Sequence, residues 1–372
     1  MSTMKAFVAT DDGKGEIRDG LPVPSYGPTE VLVKVRAAAV NPTDWKHVDL
    51  KLTVDGSVVG IDFAGDVVAV GSEVKDRKVG DQVFGLVNGG SIDTPGRGAY
   101  AQYVAIESYQ LFNVTSKLDQ ALPGSKIPQS LVSTYEGAAS LPCAILTTAI
   151  ALFFFDKTPI KKNAVTGGKF FLVWGGASSV GVSTVQIAHY LGYRVIATAS
   201  PHNFGFVESL GAEKVFDYKD PNVVKQIKEY TNDSVVVAYD CISLPSTFQL
   251  VHDSMSDKLP GVVHNTLGVN PEKDIKNFKS DLLKYTFPLA YLVAVEKKGF
   301  GVGGPVFTSP EGLIPFMKEV WPQMNNLLVD PEAHLRHMPI TVLEHGLESA
   351  RDGMDLVRDG KNSGTKIVFQ VE

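Results

Sequence analysis

The stretch Lys169–Gly192, KFFLVWGGASSVGVSTVQIAHYLG, decides the fold. Phe170–Trp174 is a short apolar run with the aromatic and β-branched content of a buried strand. It stops at Gly175-Gly176, turns through Ala177-Ser178-Ser179-Val180-Gly181, and continues as an apolar-periodic helix through Val185, Ile187, Ala188 and Leu191. Strand, tight glycine turn and helix form the layout that aims backbone N–H groups and a helix N-terminus at a pyrophosphate. Against the pattern G-x-G-x-x-G, the glycines fall at Gly176 and Gly181, and Ser178 takes the middle place. A serine there donates a hydroxyl but keeps the ligand further from the backbone. Taken alone, the same motif equally describes a glycine turn between two core elements.

The residues downstream separate the two readings. Arg194–Ser200, RVIATAS, reads as a second strand that ends where an adenine ribose is expected. A site built for the ribose 2′-hydroxyl carries Asp or Glu at that point. Here the residues are Ser200-Pro201-His202-Asn203, so no carboxylate repels a 2′-phosphate and three side chains can donate to one. Further apolar runs at Lys214–Tyr218, Val235–Asp240, Gly261–Leu267 and Tyr291–Val295 alternate with helical or loop stretches. Alternation of this kind predicts a parallel, doubly wound sheet, and with it a dinucleotide fold for NADP(H).

The 372 residues suffice for two domains with cores of their own. A net charge of −6 without a basic cluster argues against nucleic acid as a partner. Two cysteines, Cys143 and Cys241, build no disulfide framework and suit a reducing compartment. The N-terminus shows no signal-peptide core, and the apolar stretch Ala144–Phe155 is short for a membrane span, so the expectation is a cytoplasmic protein without a membrane partner.

The first part of the chain, to about residue 112, reads as β-rich. Met4–Thr10, Glu30–Val40, Gly60–Gly71, Val79–Gly85 and Gly98–Val104 form a barrel-like set, and Asn41–His47 follows a strand and a proline, at a strand mouth. Pro142–Phe155 begins a long apolar helix. Phenylalanines 153–155 either bound an apolar pocket or fill the core, and the core is the simpler reading. Lys297–Pro305 is glycine-rich and returns the chain to the first domain, followed by an amphipathic helix at Gly346–Arg358 and a last strand at Ile367–Val371. The expected domains are therefore 1–145, 146–308 and a return over 309–372.

The runs NPTD (41–44), GIDFAGDVVAVG (60–71) and VGDQVFG (79–85) are similar to the quinone oxidoreductase branch of the medium-chain dehydrogenase/reductases. The blocks WGGASSVG, ATASPHNF, GAEKVFDYKDPN and GKNSGTKIV resemble more closely the stand-alone, trans-acting enoyl reductases of fungi and their yeast relatives. The resemblance covers nearly the whole chain. It implies a GroES-like catalytic domain beside a Rossmann domain. It also implies Thr43, Asp44, Trp45 and Lys46 beside a nicotinamide, and Thr148-Ala149 under its ring. Gly176, Ala177, Ser178, Ser179, Val180 and Gly181 would hold the pyrophosphate, and Ser200, His202 and Asn203 the 2′-phosphate. Tyr218 would lie by the adenosine (ordinary packing is the equal alternative), Leu267-Gly268 by the nicotinamide ribose, and Asn362-Ser363 would close the cofactor from the tail.

Many members of that family use zinc, which needs three protein ligands at a catalytic site. Where the zinc branch has Cys and His, this chain has Asn41 and Ile61, and Cys143 lies one residue from the third position, Ala144. No metal is expected, and Cys143 reads as a buried small apolar residue. Hydride addition to an activated C=C asks less of a protein than carbonyl chemistry without a Lewis acid. The expectation is an NADPH-dependent reductase of a small apolar enone, enal, enoyl thioester or quinone, with Lys46 and Thr148 as catalytic candidates. A zinc-free carbonyl reductase and a non-catalytic NADPH-binding sensor remain as alternatives. Lys46 itself is either a solvated loop lysine or the donor to a developing enolate. The pocket walls are expected from residues 45–58, 149–155 and 281–306, and monomer and homodimer both stay open.

Overall fold

A computed structural model describes every residue except Met1, Thr115, Val302, Pro331, His334 and Glu372. The chain clusters into two compact units: residues 1–143, 291–325 and 336–372 form one, and 144–290 with 326–335 form the other.

The first unit is built on an eight-stranded sheet among the described residues. Its order is Leu111–Asn113, Gln82–Leu86, Asp62–Val70, Glu30–Ala39, Lys366–Gln370, Ile340–Val342 and Lys126–Ile127, with Tyr103–Glu107 also paired to Glu30–Ala39. Glu30–Ala39 alternates buried and half-buried residues, as a strand with one covered face must, before its last three alanines become fully enclosed. Val31, Val33 and Val35 share a core with Phe63, Val83, Tyr100, Val104, Ile367 and Phe369. Gly65 allows the tight pairing of Asp62–Val70 with Glu30–Ala39, since a Cβ there would lie 2.1 Å from the Lys34 carbonyl oxygen. The tail strand Lys366–Gln370 is buried throughout and runs antiparallel to Glu30–Ala39, with Val368 opposite Ala39.

The second unit carries six parallel strands in the order Lys214–Asp217, Arg194–Ala199, Phe170–Trp174, Val235–Asp240, Gly261–Asn265 and Leu283–Thr286. The doubly wound sheet expected from the sequence is present. All five residues of Phe170–Trp174 are buried, which accounts for an apolar run without alternation.

Several expectations change. Tyr291–Val295 is no strand: Ala290–Val293 is a 3₁₀ turn, and the sixth strand is Leu283–Thr286. An apolar run reports burial, and Tyr291 is buried in the first unit against His47 and Phe300. The last strand of the parallel sheet is therefore Leu283–Thr286. For the same reason residues 291–308, assigned by sequence to the dinucleotide domain, belong to the first unit, and 326–335 of the expected return belong to the second. Ala99–Ala101 is no ladder strand but an isolated bridge at Ala101 to Ala6, with the Phe7 N–H donating to the Tyr100 carbonyl; the pairing strand is Tyr103–Glu107. Pro142–Phe155 is α-helical to Ala149 and a π-helical turn from Ile150, and Gly346–Arg358 opens with a 3₁₀ turn before the helix Ala350–Arg358. The helical stretch Tyr135–Phe155 is long and apolar enough, by length and composition, to cross a membrane, and most of it is buried within the protein. Phe153 and Phe154 are core residues.

Candidate active site

In the first unit the site is set where Glu30–Ala39 ends. The Asp44 side chain ties the start of the helix Pro42–Asp49: its Oδ2 accepts the Asn41 N–H at 2.7 Å, and the Asp44 N–H donates to the Asn41 backbone carbonyl at 3.0 Å. The Asn-Pro-Thr-Asp run thus makes a helix N-terminus where the sequence suggested only a turn.

The Asn41 side chain is held from both ends. Its amide donates to Asp62 Oδ2 at 2.9 Å, and its carbonyl oxygen accepts from Lys366 Nζ at 2.6 Å. Lys366 also lies 3.9 Å from Asp62 Oδ2, and the Cys143 N–H donates to Asp62 Oδ1 at 2.9 Å. Asp62 is fully enclosed, and Lys366 and Asn41 are nearly so. Burial pushes the Asp62 carboxyl up to about 6 against the pull of the Lys366 charge. Asp44 is pushed up to about 7, by burial first and the Asp62 charge second, although Asn41 and Tyr100 both donate to it. Cys143, expected to be buried, is half-buried.

This donor set does not fit zinc. The position of the first ligand holds an amide already bonded to a carboxylate and a lysine, and the nearby carboxylate faces an ammonium. Among the described residues, no three His, Cys, Asp or Glu side chains gather in a way that would hold a metal ion.

One turn along the helix, Thr43 meets Tyr291 Oη through its hydroxyl, and His47 Nδ1 lies 2.8 Å from the Thr43 carbonyl oxygen. A carbonyl only accepts, so Nδ1 carries the proton. Burial, then the Lys298 charge, lower the His47 imidazole to about 4. It is therefore neutral, with Nε2 a bare acceptor. Trp45 packs half-buried on the core. Lys46 is half-buried with its Nζ 5.6 Å from the Trp45 ring centre, and desolvation lowers its pKa. Asn362 and Ser363 sit in the turn that leads into the tail strand, where Asn362 Nδ2 donates to the Thr365 carbonyl.

The second unit presents the dinucleotide turn. Ser178 is the N-cap of the helix Ser179–Tyr190, its Oγ accepting the Gly181 N–H at 3.1 Å. The middle serine of the motif is thus a helix cap, and its side chain also meets Cys241. Gly181 is required: a Cβ there would lie 2.2 Å from the Gly175 carbonyl oxygen. Gly176, whose Cβ would press on Val207 and Ala197, and Ala177 to Val180 complete the turn. The chemistry of this turn, with its free backbone donors at a twelve-residue helix, fits a pyrophosphate.

At the end of the next strand, Ser200 leads a 3₁₀ turn, Pro201–Asn203, and its Oγ lies 3.4 Å from Tyr218 Oη. His202 is exposed and Asn203 half-buried, so Ser200, His202, Asn203 and Tyr218 share one corner. The Tyr218 ring is 38% exposed, which is not the packing role left open for it. Leu267 and Gly268 follow the strand Gly261–Asn265 and are exposed or at positive φ, Gly268 at +65°. Thr148 is fully buried, its hydroxyl 3.0 Å from that of Thr184, which in turn donates to the Val180 carbonyl at 2.8 Å.

Sequence reasoning missed Asp62, Tyr100, Lys366, His47, Tyr291 and Lys298. The lysine that opens the otherwise apolar KIVFQV and the aspartate inside GIDFAG were the available signals, since an ionisable residue within a fully buried strand needs a partner.

The comparisons with known proteins agree with this geometry. The Alcohol dehydrogenase GroES-like domain family matches residues 27–116, and the Zinc-binding dehydrogenase family residues 179–318. The Saccharomyces cerevisiae protein YNL134C is 34% identical, over 98% of this chain and 97% of its own. The trans-enoyl reductase buaC of Petromyces alliaceus is 30% identical, over 99% and 97%. Among solved structures, a quinone oxidoreductase of Pseudomonas syringae pv. Tomato DC3000 superposes with a TM-score of 0.70 at 22% identity, covering 99% of both chains. With a GroES-like unit, a Rossmann-like parallel sheet and relatives along its whole length, the chain belongs to the medium-chain dehydrogenase/reductases, a family of nicotinamide-dinucleotide oxidoreductases, beside the fungal trans-enoyl reductases and their yeast relatives.

Proposed function

We propose that this protein is a zinc-independent, NADPH-dependent reductase that adds hydride to an activated C=C of an enone, enal or enoyl thioester, or to a quinone. The observation that carries the reading is the lysine–asparagine–aspartate cluster at Asn41, Asp62 and Lys366, which stands where a metal-polarised site would need its ligands. A conjugated double bond needs no Lewis acid. The substrate's own carbonyl withdraws charge, and the protein has to position the partners and meet a developing oxyanion. The names of the enoyl reductase and quinone oxidoreductase relatives support the same acceptor class.

When bound, the nicotinamide supplies the hydride. The turn at Gly176–Gly181 would hold the pyrophosphate, Ser200, His202 and Asn203 the 2′-phosphate, and Thr43–Lys46 and Asn362-Ser363 would flank the nicotinamide half. Thr148, whose hydroxyl is engaged with Thr184, serves as a rigid wall. Lys46 has no ion-pair partner among the described residues, so its ammonium is available to steady charge or deliver a proton to the α-carbon.

The direct test is the initial rate of NADPH oxidation with a matched enone, saturated ketone, quinone and enoyl thioester, before and after exhaustive chelation. Consumption with enone, thioester or quinone that survives chelation is expected. Turnover only of the saturated ketone, or activity restored by added zinc, would contradict the reading.

Cofactor choice is checked separately. NADPH should bind more tightly than NADH, and Ser200→Asp should weaken NADPH by about five- to tenfold, since a like charge ~4 Å away in a solvated corner costs about 1 kcal/mol or more. Equal affinity of the parent protein for the two cofactors would refute the assignment.

Lys46→Met keeps chain length and removes the charge. Turnover should fall by ~10²–10³, as when one transition-state donor is lost, with NADPH affinity little changed. A parallel loss of NADPH affinity would place Lys46 on the cofactor instead.

A further inference from the structure

Lys298 is 1% exposed, and its Nζ has no hydrogen-bond partner among the described residues. It lies on the short hairpin strand Lys297–Gly299, where its neighbour Lys297 points to solvent. Its Nζ sits 4.7 Å from the ring centre of Tyr291 and 5.5 Å from that of Phe300. Both rings also bracket His47, at 6.0 and 5.5 Å between centres. His47 Nε2 is buried and unpartnered too. A buried ammonium without a partner is held at a cost of several kcal/mol unless a ligand supplies one.

Among the described residues no carboxylate pairs with Lys298. Asp93 acts on Lys298 only at a distance, and desolvation lowers the lysine to about 7. The cation–π contacts offset part of the burial but leave the three donor positions of the amine unused. The nest also lies where the walls of the substrate pocket are expected: the Gly301 N–H donates to the Leu52 carbonyl at 2.8 Å, joining residues 45–58 to 281–306. Its floor, His47, immediately follows Lys46 on the helix Pro42–Asp49.

We propose that Lys298 is the donor that binds the acceptor's carbonyl oxygen and protonates it as the enolate forms. This rests on the reductase reading above. Hydride adds to the β-carbon, the C=C electron pair moves to the carbonyl, and the oxygen becomes anionic. An N–H bond of the Lys298 ammonium breaks and an O–H bond forms, giving an enol and a neutral amine. The bare Nε2 of His47 is placed among the same rings to accept the enol O–H. The enol then tautomerises: the α-carbon takes one proton from Lys46 or solvent, and the O–H proton returns to the neutral Lys298 amine as the carbonyl re-forms. The reaction thereby uses two lysines for two different atoms.

The experiment uses 4-nitrophenol, whose yellow phenolate imitates an enolate oxygen, titrated into the intact protein and into Lys298→Met and Lys297→Met. The parent protein should bind the phenolate and draw its ionisation to lower pH. Lys298→Met should weaken phenolate binding about tenfold or more, as expected for a lost hydrogen bond to a charged group. Lys297→Met, which removes the adjacent solvent-facing charge, should bind it like the parent. Lys298→Met should melt at or above the parent temperature, because an unpaired buried charge has been removed. Phenolate binding by Lys298→Met equal to the parent's, an equal loss in Lys297→Met, or a lowered melting temperature for Lys298→Met would each overturn the proposal. Lys298-dependent phenolate binding in a protein that reduces no enone would uphold the oxygen site and refute the reductase reading.

Discussion

The lysine of the tail strand, Lys366, holds together the strand ends from which the helix Pro42–Asp49 springs. Three chain segments far apart in sequence meet there: Asn41 after Glu30–Ala39, Asp62 at the start of its neighbour, and Lys366 at the start of the tail strand. None of the three polar side chains could be buried alone, because an isolated ion or amide in an apolar interior loses its hydration without return. Together they satisfy one another. Such a cluster adds little to net stability relative to an apolar core of equal volume, but removing one member leaves a buried charge unpaired, at a cost of about 3–5 kcal/mol.

What the cluster secures is position. With Asn41 fixed from both sides, its backbone N–H is presented to the Asp44 carboxylate, and a helix starts at Pro42. Asp44 is then locked by Tyr100, and the helix turns Thr43 and His47 toward Tyr291. His47 is fixed as the Nδ1–H tautomer by a backbone carbonyl, so its electrostatic role is decided by the fold. Thr43 and His47 are thereby held by a helix and buried aromatic rings, and hydrogen bonds to an ammonium order the start of that helix.

Much of this was legible in the sequence, for stated reasons. The run Phe170–Trp174, the glycines at 176 and 181 and the Ser200–Asn203 turn are local signals, and strand, turn and helix follow from them without knowledge of the rest. The Asn41–Lys46 loop was also legible as a group of polar residues after a strand and a proline. The partners were not. Asp62 and Lys366 are separated by some three hundred residues, and Lys298 reads as one of two adjacent lysines on a glycine-rich stretch; only folding distinguishes the buried one from Lys297. Tyr291 misled because burial and strand formation give the same apolar signature, and its burial in the first unit also moved the domain boundary. Ser178 was read as a phosphate donor, while its cap role depends on the geometry of the turn.

The central claim is that Lys366 and Asp62 act as one unit that orders the Asn41–His47 segment. A double-mutant cycle of Asp62→Asn, Lys366→Met and the double variant, measured as unfolding free energy in urea, tests it most directly. The account predicts that each single change destabilises by about 3 kcal/mol and that the double change costs much less than their sum, a coupling of roughly 2 kcal/mol or more. Additive effects, with the double variant as damaged as the two singles together, would contradict it.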